Sequence, residues 1–307
     1  MEQKQHIFVV GGPTASGKSD FAIRIAHHFN CPIINADSRQ VYKELQIGTA
    51  RPFMSEYDGV PHHLMGHISI HNSYTTGIWQ QEVDALLSKE LAQEPIVVMV
   101  GGTGLYLQSA LTGLDDLPRT EPETRTHVEL LLKSRGIASL IEYLTINDPE
   151  ILPSLDHKNH RRLMRPVEIH MQTGKSMSWW LNNQIKEPKP YTSTLFIPDI
   201  EREILYERIN KRVFQMMEKG LLEEVKSVQE YLGEIQALST VGYQEFIAHF
   251  AGEASKGETI AKIQQNTRRY AKRQGTFFRK LGGEILSFEM NDADLHLRLK
   301  RAFAERK

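Results

Sequence analysis

The sequence contains a single cysteine, Cys31, among 307 residues. One cysteine excludes an internal disulfide and a cysteine-rich zinc site. It is expected near the end of the first helix as a small buried residue. Long apolar runs are missing as well. No stretch approaches the roughly 20 residues that a membrane-spanning helix needs. The opening residues Met1 to His6 are polar and read as no signal peptide, so the expectation is a cytoplasmic protein with no membrane partner. An excess of charge is also missing: 37 basic against 38 acidic residues give a formal net charge of −1. Overall charge therefore predicts no polyanion partner, and only local charge can do so. Repeats and low-complexity tracts are absent. What remains is an ordinary globular composition, 40% hydrophobic and 24% charged. The chain is long enough for one large domain or one domain carrying an insertion.

The densest signal is Gly12, Pro13, Thr14, Ala15, Ser16, Gly17, Lys18 and Ser19. These residues fit G-x-x-x-x-G-K-[ST], the phosphate-cradling P-loop. The apolar run His6 to Val10 before it predicts a strand. Phe21, Ala22, Ile25, Ala26 and Phe29 after it are spaced for one buried helix face. Strand, glycine-rich turn and helix N-terminus together form an anion site, because backbone N–H groups converge and the helix dipole adds positive charge. Lys18 would reach the terminal phosphates, and the Ser19 hydroxyl would ligate Mg²⁺.

Residues 32–36 predict a second buried strand ending at Asp37, Ser38, Arg39 and Gln40. This places Asp37 beyond a strand's carboxyl end, where ligands bind in parallel α/β sheets. Its other reading is an N-cap or turn residue. Residues 95–100 predict a central parallel strand, followed by Gly101, Gly102, Thr103 and Gly104. ATPases and GTPases place an acid after such a strand to hold Mg²⁺. Here there is none, which points to a phosphate-bearing substrate used for other chemistry. His62 and His63 read as part of a loop rather than a metal pair, since sequence neighbours point apart. Ile78 to Leu91 predicts a helix.

From Asp115 to Pro190 strand signals vanish, and helices are predicted over 124–135 and 138–144. The expected organisation is a P-loop-type α/β core, a parallel sheet flanked by helices over 1–114 and 191–307, with a helical insertion domain at 115–190. The insertion carries a basic stretch from His157 to Arg165 that includes Arg161, Arg162 and Arg165. A strand over 194–197 and a long amphipathic helix over 206–231 follow. Arg208 and Arg212 share one face of that helix. A second basic stretch, Asn266 to Lys280, holds Arg268, Arg269, Lys272, Arg273, Arg279 and Lys280 with Tyr270, Phe277 and Phe278 between them. Such interleaving suits a nucleic-acid backbone with a stacked base; a solvated helix face is the plainer reading. A strand over 284–288 and a charged helix end the chain.

Read together, these pieces resemble the bacterial tRNA dimethylallyltransferases (tRNA isopentenyltransferases). The resemblance rests on the P-loop, Asp37-Ser-x-Gln-Val-Tyr42, Ile47-Gly-Thr-Ala50, Pro61-His-His-Leu64 and Gly101-Gly-Thr-Gly-Leu-Tyr106. It continues through Arg162-x-x-Arg165 with Glu168, Arg208 to Arg212, Val241-Gly-Tyr243 and Tyr270-Ala-Lys-Arg-Gln274. It implies transfer of a dimethylallyl group from dimethylallyl diphosphate to the exocyclic amine of the adenosine 3′ of the anticodon, in tRNAs reading U-initial codons. It further implies Asp37 as general base, Thr103 orienting the reacting groups and Arg212 on the diphosphate held by Gly12 to Ser19, with Mg²⁺ on Ser19. The implied contacts to the tRNA anticodon stem-loop are Asp37, Ser38, Arg39, Gln40, Arg161, Arg162, Arg165, Gly242, Tyr243, Lys272, Arg273, Gln274 and Arg279. All of these lie in one chain, which implies a monomer.

Three positions depart from the family pattern: Gln244 where Lys or Arg is common, Arg161 in place of Gln, and Phe277-Phe278 in place of a Trp-containing pair. The absence of a C-terminal zinc finger favours the bacterial form. Three rivals share the P-loop. They are an adenylate isopentenyltransferase acting on free AMP, ADP or ATP, a small-molecule kinase, and a non-enzymatic RNA-binding protein. The insertion and the basic stretches argue against the first. Asp37 could serve an acceptor hydroxyl in the second. The intact Gly17, Lys18, Ser19, Asp37 and Thr103 argue against the third.

Overall fold

The computed structural model describes residues 4–185 and 188–304. It forms a six-stranded, wholly parallel sheet in the order β3-β2-β4-β1-β5-β6. The strands are β1 (His6–Gly11), β2 (Ile33–Asn35), β3 (His62–His63), β4 (Ile96–Gly101), β5 (Thr192–Pro198) and β6 (Glu284–Leu286). The strands β1 and β4 are buried along their whole length. Their unbroken apolar runs follow from cover on both faces.

Alternate residues serve the two faces. Phe8, Val10, Ile33 and Val98 pack under α1 (Lys18–Phe29) and the C-terminal helix. Ile7, Val9, Ile34 and Met99 pack against α2 (Thr76–Ser88) and α3 (Gly104–Thr112). After β1 the chain crosses to β2 on one side, and after its neighbour β4 it crosses to β5 on the other, so the connections part between β1 and β4 and a crevice opens beyond the carboxyl ends of these strands.

The chain divides into two compact units: one joins the residues up to Thr112 with those from Lys189 on, and the other is Gly113–Pro188. The second unit is helical among the described residues. It comprises α4 (Pro122–Asn147), α5 (His160–Thr173) and α6 (Met177–Asn182) around a cluster that includes Val128, Leu140, Leu144, Leu163 and Val167. The two helices predicted over 124–144 are the halves of α4. Gly136, at φ 73°, breaks them at the expected place.

The first unit continues with α7 (Arg202–Glu218), α8 (Leu221–Ser227), α9 (Phe246–Phe250), α10 (Lys256–Leu281) and α11 (Asp292–Ala304). The single helix expected over 206–231 is divided at Gly220, which stands at φ 99°. His62 and His63 form a two-residue edge strand on β2 rather than a loop, and His62 Nδ1 lies 2.8 Å from the Val60 carbonyl. Cys31 is buried beyond α1, and burial pushes its thiol up to about 12. Among the described residues no helix is long and apolar enough to cross a membrane.

Candidate active site

The phosphate loop is shaped by two left-handed residues, Ala15 at φ 62° and Gly17 at φ 82°. They turn the backbone so that α1 begins at Lys18. Pro13 is buried, and Lys18 Nζ donates to its carbonyl oxygen at 3.3 Å. Burial lowers the Lys18 ammonium to about 8; Asp37 opposes this and Arg212 adds to it. Arg212, on α7, reaches across to Thr14 Oγ1 at 3.3 Å. Burial also draws its guanidinium below the usual value, against Asp37 and Asp20. The Ser16 hydroxyl is buried, 3% exposed, with no hydrogen-bond partner among the described residues. Two desolvated cations, Lys18 and the Arg212 that reaches over from α7, and an orphaned hydroxyl gather at one loop, a set chemically complementary to a phosphate group.

Asp37 follows β2. Asn35 fixes it from behind: its Oδ1 accepts the Asp37 N–H at 3.0 Å, and its Nδ2 donates to the Asp37 and Leu64 carbonyls. One Asp37 oxygen accepts the Arg39 N–H at 2.9 Å, a local turn bond. The turn reading of Asp37 therefore holds, and the same residue lines a cavity with the phosphate loop. The Thr103 hydroxyl sits opposite, accepting the Ser38 N–H at 2.9 Å and donating to Ser38 Oγ at 3.1 Å.

The strand end between them explains the missing acid. A Cβ on Gly101 would lie 2.0 Å from the Ala36 carbonyl oxygen, and one on Gly102 would lie 2.5 Å from Gln274 Nε2. Backbone blocks any side chain at Gly101, and one at Gly102 would have to displace the Gln274 amide.

Two cavities flank this turn. The first, about 570 Å³, is lined by the phosphate loop from Ala15 to Ser19, by Asp37 and Gln40, and by Arg208, Lys211 and Arg212 of α7. The second, about 630 Å³, is lined by Ser38, Arg39, Tyr42, Thr103 and Tyr106. Asp37 faces one, and its sequence neighbour Ser38 faces the other.

The IPP transferase family model matches residues 40–281. The chain belongs to that family. A tRNA dimethylallyltransferase of Christiangramia forsetii is 41% identical over 281 residues, covering 92% of each chain. One from Cytophaga hutchinsonii is 39% identical over 276 residues, 90% of each. Among solved structures, a full-length tRNA isopentenylpyrophosphate transferase of Bacillus halodurans superposes with a TM-score of 0.71 at 30% identity. It matches 98% of this chain and 96% of that one. A eukaryotic dimethylallyltransferase acting on tRNA gives a TM-score of 0.83 at 26% identity, over 98% of this chain and 79% of its own.

Within this IPP transferase the expected site residues separate into three groups. Ala15 to Ser19 of the phosphate loop, Asp37, Ser38, Arg39, Gln40, Thr103 and Arg212 line the two cavities, whereas Gly12, Pro13 and Thr14 line neither, and Gly12 and Pro13 are buried. Gln40 also donates to the Thr49 and Ala50 carbonyls. Arg161 and Arg162 on α5, and Lys272, Arg273 and Arg279 on α10, are exposed on their own units.

In the third group Gln274, Tyr243 and Gly242 are buried, against the RNA contacts expected of them, and Arg165 is half-buried. The Gln274 side chain is buried and works as a bridge. It accepts the Thr14 N–H at 3.0 Å and donates to the Gly102 carbonyl at 2.7 Å, tying the phosphate loop to the glycine turn. Tyr243 is 0% exposed; it packs on Gly48 and donates to Glu224 at 2.6 Å. Gly242 stands at φ 99° and donates its N–H to Glu245. Arg165 is half-buried, bonded to the Pro118 carbonyl and Thr120 hydroxyl and 3.8 Å from Glu168. Burial lowers its guanidinium against the pull of Glu168. Of the departing pair, Phe278 is core beneath Gly11, while Phe277 is partly exposed beside Gly104. Gln244 remains exposed.

Sequence reasoning missed Glu224. Its carboxylate accepts the N–H groups of Gln46, Ile47 and Gly48 as well as the Tyr243 hydroxyl, and so holds the Ile47-Gly-Thr-Ala50 loop at the first cavity. The glutamate and Gln46 lie 178 positions apart in sequence, and no local pattern connects them.

Proposed function

We propose that the protein transfers a dimethylallyl group from dimethylallyl diphosphate to the exocyclic amine of the adenosine 3′ of the anticodon, in tRNAs reading U-initial codons. The observation that carries this reading is an anion cavity lined by Asp37 and a second cavity lined by Ser38 and Thr103, on either side of one turn. The diphosphate sits in the first cavity, against the loop amides, Lys18 and Arg212. The adenine enters the second, beside Ser38 and Thr103. The amine nitrogen bonds to the allylic carbon, the bond from that carbon to the diphosphate oxygen breaks, and the amine proton passes to Asp37. Charge grows on the departing diphosphate, where Lys18 and Arg212 stabilise it.

The exposed Ser19 hydroxyl would hold a Mg²⁺, which would supply further neutralisation of phosphate charge. Among the described residues no group of three His, Cys, Asp or Glu side chains could hold a metal ion, so most of its ligands would come from phosphate and water. The target base must leave its stack to reach a cavity of this depth. Arg161 and Arg162 on the insertion, and Lys272, Arg273 and Arg279 on the core, are the RNA contacts in this reading. The enzyme acts as a cytoplasmic monomer.

Nucleoside mass spectrometry tests the reaction. The purified protein is incubated with Mg²⁺, dimethylallyl diphosphate and unmodified tRNA, with AMP and ATP in parallel. A dimethylallyl adduct on adenosine in tRNA alone is expected. Product on free nucleotide alone would replace this reading with that of an adenylate enzyme.

A further inference from the structure

Gly275 has no local reason to be glycine. It lies in the interior of α10, where glycine is the poorest helix former after proline. Its backbone is not left-handed, and a Cβ built on it would meet nothing within 4 Å. The missing side chain instead leaves open a slot of about 330 Å³ between α10 and α7. The walls are Leu205 and Tyr206 on one side and Gly275 on the other, and Pro13 of the phosphate loop closes one end. Arg202, Lys272 and Arg279 stand on its rim, and no acidic residue lines it. Among the described residues, no carboxylate pairs with any of the three cations. Arg202 instead lies over the Tyr206 ring, 5.1 Å from its centre.

We infer that this slot receives a second unpaired base of the RNA acceptor, near the one that is modified. The inference rests on the RNA reading of the site. A mostly apolar slot with an aromatic lining residue suits a nucleobase, and cations among its lining with no carboxylate partner suit the phosphates on either side of that base. Charge selects the occupant: an apolar peptide or lipid tail would leave the rim cations without partners. Because Pro13 belongs to both the slot and the phosphate loop, the second base is held one loop away from the diphosphate. That arrangement would fix the register of the RNA at the reacting adenosine.

The test is fluorescence anisotropy with a labelled anticodon stem-loop RNA, with AMP and ATP as competitors, on the full chain. Gly275→Phe fills the slot and is expected to weaken RNA binding about tenfold, the scale of one lost base stack. Gly275→Ala should have a much smaller effect, and binding of inorganic pyrophosphate should be retained in both. Tyr206→Ala removes the opposite wall and should weaken RNA binding in the same direction, so the question stays decidable if the phenylalanine variant does not fold. Wild-type RNA affinity in a folded Gly275→Phe protein, or in Tyr206→Ala, overturns the slot while leaving the RNA reading in place. Wild-type protein that binds no RNA overturns both. Loss of AMP affinity in step with RNA affinity would assign the slot to a free nucleotide instead.

Discussion

Lys18 sits in the phosphate loop with its ammonium lowered to about 8 by burial. In the free protein it therefore gives up its proton as pH rises through about 8, well below the usual lysine value. A diphosphate binds the charged form, so donor affinity should decline above about pH 8. A plot of donor kcat/KM against pH tests this: Lys18→Arg, always charged, should lose that alkaline limb even if its affinity is lower. The sign for stability is opposite. Between about pH 8 and 10.5 the unfolded chain holds a proton that the folded one lacks, so Lys18 makes the free protein more stable as pH rises through that window. Asp37→Ala should slow turnover by about 10²-fold or more, the scale of a lost general base, while tRNA binding survives. Near-normal single-turnover rates in that variant would remove Asp37 from the role. At this scale the sequence was legible where short spacing fixes position: the phosphate loop follows its strand as expected, and Asp37 and Thr103 each line a cavity beside it. It misled where a polar side chain is buried by distant partners. Gln274, Tyr243 and Arg165 all read as surface contacts because the chain gives no local sign of Gly102, Glu224 or Pro118 beside them.

At the scale of elements, the loop from Gln46 to Gly48 hangs on the carboxylate of Glu224. Glu224→Ala would leave these backbone donors and the Tyr243 hydroxyl without their acceptor. It should lower stability by about 3 kcal/mol, measured by denaturant unfolding. Glu224→Gln keeps one acceptor oxygen and should cost less. Gly275→Ala should act in the other direction and stabilise the fold by about 1 kcal/mol, because α10 regains a better helix former at a place with room for it. A lower melting temperature in that variant would show that packing, not the slot, demands the glycine. Strands β1 and β4 were readable because full burial writes itself as an unbroken apolar run. Helix boundaries were less so: the break between α7 and α8 turns on Gly220 alone, and the sequence on either side keeps its helical period.

For the whole molecule, the break in the core unit is bridged from within that unit. The Tyr191 hydroxyl donates to the Ala110 carbonyl at 2.6 Å, joining the residues on either side of the excursion. The second unit has its own apolar cluster. Replacing residues 113–188 by a short Gly-Ser linker should therefore leave a core that melts cooperatively and binds inorganic pyrophosphate, with weakened affinity for tRNA. Calorimetry on the shortened protein checks the first two outcomes, and a filter-binding titration checks the third. A shortened core that cannot fold would mean that the two units are stable only together.

The crowded end of β4 also limits what this chain can become. An ancestral phosphate loop is a general tool, and one acidic residue after the neighbouring strand is a short mutational step toward spending nucleotides. Here that step is barred at Gly101 by the Ala36 carbonyl, and at Gly102 it would have to displace the Gln274 amide. Any side chain at position 101 must push β2 away from β4 and carry Asp37 with it. Drift toward nucleotide hydrolysis would thus damage the existing site before a new one could work, and single-step evolution is held to the chemistry already in place.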